Sequence, residues 1–428
     1  MSGLIKHLHL NGQSVSGSEI SAVEQVQELK KLGIKIYDKH IFKQVKPAQT
    51  VVYTSAVSDD NPELTYAKKH GKRVIKRSEL LGKILSEHKT SIGISGSHGK
   101  TTATAMLAHV LISANKHPTV FLGGNDMDFG NYLFGSKEIA VAEACEYKRN
   151  FLDLKPNIAV VLNVDNDHLD TYKTEKNLCD AFSDFIAQSI SVINADDKLS
   201  KKLFNSTTVT FGIDNTATYT AKNVSQTSNG CSFTACAYGR VLGRIKLNVC
   251  GKHNVYNALS AIAVGDILRI DFKHIKNGLQ NFKGVQRRNE YLGKNFDVNF
   301  YADYAHHPRE ITATVKTFCT QHENFITVFQ PHTFSRTRLL MQDFISALKI
   351  LSPLIIYKTY PAREDYDELG SAEALYKNLV LQGANCYYAS TMKEVINILK
   401  KHKQENKTAL FLGAGDIYQV AKDILVQN

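Results

Sequence analysis

No apolar run in this sequence approaches the eighteen or so residues that a membrane-crossing helix needs, so no spanning segment is expected. The stretch from Met1 to Gln13 is apolar but broken by Lys6 and His7, and it has no small-residue cleavage site. A secretory signal is a poor fit, and the cytoplasm is the expected compartment. Cysteine offers no framework either. The seven cysteines, at 145, 179, 231, 236, 250, 319 and 386, form no CxxC pair, and the Cys231–Cys236 spacing suits no zinc knuckle. Reduced and mostly buried thiols are expected. There is no repeat of fixed period and no low-complexity linker. Nor do the basic residues form a stripe. The formal charge is +11, yet runs such as 400–407 read as a solvated helix face, and no aromatic-interleaved RNA motif occurs. No nucleic-acid partner is expected; the positive charge fits a lysine-rich proteome or a site for polyanionic small molecules, and by itself it decides nothing.

What is present is an ordinary globular composition, 43% hydrophobic and 22% charged, in a chain of 428 residues that is too long for one core. β-type runs alternate with helical patterns, which predicts parallel sheets with crossover helices. In the first segment strands are expected at 15–19, 34–38, 51–56 and 73–76, with helices near 20–32 and from Asn61-Pro62-Glu63. The chain opens on a helical pattern over 2–9, with no strand before it. In a nucleotide-binding α/β domain the first strand-to-helix turn carries the glycine-rich phosphate loop, which here would precede residue 1. The second segment, from Lys89, has a strand, a Gly-rich loop and an apolar helix over 102–114. Buried strands follow at 139–143, 158–164 and 191–195, then an antiparallel side sheet over 207–250 and a helix over 255–268. The third, from Arg287, alternates helices with strands at 298–302, 325–329, 354–357, 385–389 and 409–412. The expected fold class is α/β in three domains. These are a truncated Rossmann-like N-domain (1–88), a central P-loop ATPase-type parallel sheet with a small antiparallel side sheet (89–286), and a Rossmann-like C-terminal domain (287–428).

The chemistry is densest in Gly93-Ile94-Ser95-Gly96-Ser97-His98-Gly99-Lys100-Thr101-Thr102. Gly93, Gly96 and Gly99 allow positive φ and close backbone approach, and a helix N-terminus supplies positive potential for an anion. Lys100 can reach the β- and γ-phosphates of ATP, and the Thr101 hydroxyl can ligate Mg²⁺. The spacing departs from GxxxxGK[ST] by one residue, because Ile94 stands at the first glycine position. Two further stations sit at strand ends. Glu143 ends the run 139–143 with Glu146 three residues on, and His168 follows the run 158–164. Groups beyond the carboxyl ends of neighbouring parallel strands converge on one crevice. Glu143 suits Mg²⁺, which prefers oxygen. His168 suits a second cation or a phosphate oxygen, and an ordinary structural histidine is the competing reading.

The loop 93–102, Glu143-Ala144-Cys145-Glu146-Tyr147, and Asn163–His168 continued by Leu169-Asp170-Thr171-Tyr172 resemble the central domain of the Mur ligases. The likeness continues in Gly251–Ala258, Gly284–Arg288, Asp303–Pro308, Phe329–His332 with Ser335-Arg336-Thr337, and Gly413–Asp416. Val15–Ser18 and residues 51–64 fit the family's substrate-binding N-domain. The resemblance implies an ATP-dependent carboxylate–amine ligase acting in peptidoglycan precursor synthesis. It would join L-alanine to UDP-N-acetylmuramate through an acyl phosphate and release ADP. It further implies an ATP site formed by Gly93, Gly96, Ser97, His98, Gly99, Lys100, Thr101, Thr102, His253, Asn254 and Asn257. Arg287 and Asp303 would join that site from the third domain. Thr101, Glu143 and His168 would hold metal, and His306, His307 and Arg336 would face the amino acid and the transferring phosphate. His306 or His307 has the chemistry of a general base, since imidazole titrates near neutrality. A monomer or weak dimer is implied.

The departures from the family are informative. Its N-domain normally opens with a strand and a GxGGxG-type loop for the UDP diphosphate, whereas Met1-Ser2-Gly3-Leu4 resembles the residues after that loop. An internal start is expected over true loss of the element. Glu19 stands where Asp is usual, Asn289 replaces an aromatic, and Gly130–Leu133 lacks a frequent Arg. Two other readings compete: a ligase that attaches a whole tripeptide to the same sugar nucleotide, and a non-catalytic ATP-binding relative.

Overall fold

The computed structural model describes every residue except 21–23, 166–168, 228–229, 363 and 428, and no side chain at 24, 169 or 170. The chain divides into two compact units, Met1–Gln226 with Gly230–Lys283, and Gly284–Asn428.

The first unit opens with the helix Ser2–Leu10 and two parallel strand pairs. Strand β1 (Ser16–Ser18) pairs with β2 (Lys35–Tyr37), and β3 (Thr50–Tyr53) pairs with β4 (Arg73–Lys76). β1, β2 and β3 are shorter than expected while β4 has the expected bounds, and the two pairs are separate sheets rather than one. Next come β5 (Thr90–Ser95), β6 (Thr119–Asp126), β7 (Gly130–Leu133), β8 (Ile139–Glu143), β9 (Ile158–Val161), β10 (Ile190–Asn194), β11 (Val209–Gly212), β12 (Tyr219–Thr227), β13 (Gly230–Ala237) and β14 (Arg240–Leu247). They form one sheet in the order β14-β13-β12-β11-β10-β9-β5-β8-β6-β7. Of the strands expected to be antiparallel over 207–250, β13 and β14 do pair that way, but β11 pairs parallel with both β10 and β12. All four extend this sheet instead of standing beside it. The central strands are near-continuous apolar runs (Ile-Ala-Val-Ala, Ile-Ala-Val-Val) because both faces are covered.

The helix Lys100–Ser113 is apolar on all sides and buried from Thr102 to Leu111, as a helix enclosed by its neighbours must be. It packs on the helices Lys252–Ile267 and Phe272–Asn281. Gly278 sets the second approach, since a Cβ there would lie 2.5 Å from the Val110 Cα and 2.6 Å from the His109 carbonyl oxygen. Gly278→Ala is expected to cost about 1–3 kcal/mol by overpacking, read as a lower midpoint in urea with an unchanged slope. His109 Nε2 lies 3.0 Å from Asp126 Oδ2, both side chains being buried. Asp126 Oδ1 accepts the Asp128 and Phe129 amides, and Lys283 Nζ holds Asp128 at 2.6 Å. Among the described residues His109, Asp126 and Asp128 have the spacing of metal ligands, but these contacts make them a tie between helix and β6.

The second unit has β15 (Glu290–Asn295), β16 (Val298–Asp303), β17 (Ile326–Phe329), β18 (Leu354–Tyr357), β19 (Cys386–Ala389) and β20 (Thr408–Leu412). Their order is β15-β16-β20-β17-β18-β19, and only the β15–β16 pair is antiparallel. Asp303 and Phe329 both pair with Leu412. The loops after β16, β17 and β20 therefore emerge together at one edge.

Candidate active site

Register assembles the first unit's site. Ile94 on β5 pairs with Glu143 on β8, and Ser95 pairs with Val161 on β9, so three carboxyl ends meet. The phosphate loop proper is 96–99. Gly93, expected within it, is a mid-strand residue of β5, and a Cβ there would lie 3.0 Å from the Pro156 ring. Its role is packing. Gly96 (φ +141°) and Gly99 (φ +85°) do need to be glycine. A Cβ would meet the Asn163 backbone at 3.1 Å in the first case and Asn257 Oδ1 at 2.7 Å in the second.

The segment after β9 fixes the loop. The Ser97 and His98 amides donate to the Asn163 carbonyl and Oδ1 at 3.1 and 2.8 Å, and Asn163 Nδ2 donates back to the His98 carbonyl at 3.1 Å. The Asp165 amide donates to Ser97 Oγ at 2.8 Å, and His98 Nε2 lies 3.7 Å from Asp165 Oδ2. Ser97 and His98 thus brace the loop, and the amides opening the helix at Lys100 are those suited to an anion.

Lys100 Nζ is 3.0 Å from Glu146 Oε2 and 3.1 Å from Oε1, and it also donates to the Gly96 and Ser97 carbonyls. Burial disfavours its charge, but the carboxylate of Glu146, with Cys145 and Glu143 behind it, outweighs burial and raises its pKa. Glu146 is 2% exposed. Its part was missed in the sequence, where the only signal was its place three residues after Glu143. Glu143 Oε1 accepts the Gly123 amide of β6. His168 lies outside the described residues. Asn254 and Asn257 are buried on the helix facing the loop, and Asn257 Nδ2 donates to Asn254 Oδ1 at 3.1 Å.

A cavity of about 450 Å³ opens beside this array. Ser2, Glu19, Thr54, Arg77, Gly123 and Asn131 are among its lining residues. It contains the buried amine of Met1, whose pKa burial and then Arg77 push down to about 5. Gly123 lines the cavity and holds Glu143, so the cavity abuts the phosphate-loop site through one residue.

In the second unit the loops after β16 and β17 and the helix Phe334–Leu339 bring His306, His332 and Arg336 together. The His306 and His332 rings are 5.8 Å apart, and Arg336 Nη1 lies 3.3 Å from His332 Nδ1. Guanidinium can only donate, so His332 Nδ1 is an acceptor and the ring is neutral. Burial, His306 and Arg336 hold its pKa near about 4. His306 Nδ1 lies 3.0 Å from the Tyr304 carbonyl and 3.3 Å from Glu310 Oε2. Both partners accept, so Nδ1 carries a proton, and in the neutral ring it is Nε2 that keeps its lone pair. Burial lowers the His306 pKa against the opposing pull of Glu310. His307 instead caps the helix Pro308–Cys319, accepting the Arg309 amide at 3.4 Å.

Arg287 and Asp303, expected at the ATP site, are committed to the second unit's own loops. Arg287 donates to the Gly413 and Gly415 carbonyls at 2.7 and 3.0 Å and stacks on Tyr304 and Tyr418. Asp303 accepts the Asn289 and Ala305 amides and the Thr314 hydroxyl, and burial raises its pKa.

Family models match in chain order: Mur ligase family, catalytic domain, over 1–89; Mur ligase middle domain over 94–265; and Mur ligase, glutamate ligase domain, over 287–415. The chain belongs to the Mur ligase family. UDP-N-acetylmuramate–L-alanine ligases of Clostridium acetobutylicum and Clostridium beijerinckii are 38% and 39% identical to this Mur ligase over 435 residues. Each alignment spans 99% of this chain and 95% of the relative. The crystal structure of UDP-N-acetylmuramate-alanine ligase from Thermotoga maritima superposes with a TM-score of 0.86 at 31% identity, covering 99% of this chain and 95% of that one. A murein peptide ligase from Psychrobacter arcticus shares the fold at TM-score 0.75 and 21% identity.

Within this Mur ligase the first unit joins Gly96, Gly99, Lys100, Glu143 and Asn257 around one loop, and the second joins His306, His332 and Arg336. The segment carrying Asn163 and Asp165 was read as a family motif and for His168, and its bracing of the loop left no separate signal.

Proposed function

We propose that this Mur ligase joins L-alanine to UDP-N-acetylmuramate at the expense of ATP, in peptidoglycan precursor synthesis. The observation that carries this reading is the near-complete alignment with ligases of that name. The cavity beside Glu143 supports it, because a sugar nucleotide held there would present its carboxylate next to the phosphate loop. We assign 1–88 to the sugar nucleotide, 89–286 to ATP and 287–428 to the amino acid. The cytoplasm is the proposed compartment, and among the described residues no helix is long and apolar enough to cross a membrane.

Two anions must meet when a carboxylate attacks the γ-phosphorus. Lys100 and the first amides of its helix place positive charge where it develops. Thr101, in the first turn of the helix that follows β5, and Glu143, at the end of β8, offer a hydroxyl and a carboxylate, the oxygen donors that Mg²⁺ prefers. With His168 they are the residues that would hold the ion, which supplies further charge neutralisation to the phosphates when bound. Amide formation then needs an uncharged amine. His306, with Nε2 unprotonated, suits removal of that proton, and Arg336 suits the amino acid's carboxylate or the departing phosphate.

The test is ADP release with UDP-N-acetylmuramate and either L-alanine or a tripeptide. Stimulation by L-alanine is expected. Stimulation by the tripeptide alone would reassign the enzyme to peptide recycling, and none with either amine would end the ligase reading.

A further inference from the structure

Lys100 has three N–H bonds, and the loop carbonyls of Gly96 and Ser97 together with the Glu146 carboxylate take all three. To reach a phosphate the ammonium must give up one of these partners. The two carbonyls belong to the loop itself and move with it, which leaves the carboxylate as the separable one. Glu146 is held from elsewhere. Its backbone carbonyl accepts the Tyr172 hydroxyl, and it caps the 3₁₀ turn Tyr147–Asp153. Its side chain is 3% exposed and that of Lys100 is 17% exposed, so little water weakens the attraction. An anion fixed there also repels a triphosphate entering the loop.

We propose that Glu146 is a positioning residue that competes with nucleotide phosphate for Lys100. It keeps the empty loop electrically satisfied, lowers affinity for ATP and ADP, and recaptures Lys100 as products leave. The inference rests on the ATP-site reading above. It separates from a purely structural role by sign. A brace that is removed loosens the site and weakens binding, whereas a competitor that is removed tightens it.

The experiment is calorimetric titration of the full chain with ADP, for wild type, Glu146→Gln and Glu146→Asp, alongside steady-state kinetics in ATP. Glu146→Gln should bind ADP about tenfold or more tightly, by loss of one nearby like charge. Its KM for ATP and its kcat should fall together, because release of ADP becomes slow. Glu146→Asp, one methylene shorter, should tighten ADP by only a few-fold. Unchanged or weaker binding in a folded Glu146→Gln overturns the proposal. Should that variant not fold, the same result in Glu146→Asp does so. Wild-type protein that binds no ADP would instead sink the ATP reading, and this inference with it.

Discussion

Lys100→Ala is expected to lower turnover about 10³-fold, the scale of one charge clamp on a transferring phosphoryl group. The same substitution should also destabilise the fold, because Glu146 is left as a buried carboxylate without its ammonium. Breaking a buried pair from one side costs about 3–5 kcal/mol. A loss of activity in the single variant is therefore ambiguous unless the two effects are separated. The double variant Lys100→Ala with Glu146→Gln separates them, since it removes the orphaned charge along with its partner. Its melting temperature should return most of the way to wild type while turnover stays about 10³-fold down. Near-normal turnover in either variant would remove the loop from the mechanism. Recovery of both stability and turnover in the double variant would make Lys100 a structural residue.

That prediction depends on a pair of which only one member was legible in the sequence. A strand, a glycine-rich turn and Lys-Thr-Thr opening a helix form a local signal, and the structure places Lys100 at the loop as expected. Gly93 was misplaced for a local reason too. A glycine three residues from a turn looks the same whether the strand ends before or after it, and here β5 runs on to Ser95. Glu146, Asn163 and Asp165 act across strand pairs, and their contacts with 96–100 span some fifty to seventy positions that no periodicity reveals. β6 and β7 were not anticipated, because glycines and acidic residues at 123–130 interrupt the apolar pattern. The strand order of the second unit follows the doubly wound expectation. Arg287 and Asp303, read as contacts to the nucleotide when the domains close, also hydrogen-bond to neighbouring loops of their own unit, which no periodicity reveals. In the N-terminal segment the strands at 16–18 and 35–37 are three residues long, below what an alternating pattern can delimit.

Between His306 and His307, left open in the sequence, the contacts of the ring nitrogens favour His306 as the proposed base, and that proposal yields the second large effect. His306→Gln should lower kcat by about 10²–10⁴-fold, the usual contribution of a positioned base. His307→Ala removes a helix cap and should cost about 0.5–2 kcal/mol of stability with turnover largely kept. The pH profile identifies the base more firmly than the size of the loss. Burial moves the His306 pKa below its ordinary 6.5, with Arg336 pushing the same way and Glu310 opposing. A base works only when deprotonated, so wild-type amide formation should rise with pH through a limb lying below 6.5. That limb should vanish in His306→Gln. Stability has the same sign. The folded state favours neutral His306 and His332, so the unfolded chain binds more protons as pH falls below 6.5, and the fold weakens towards the His332 value of about 4. The rate limb must therefore be measured where thermal unfolding shows the enzyme intact. If the limb survives in a folded His306→Gln, the proton goes to another group.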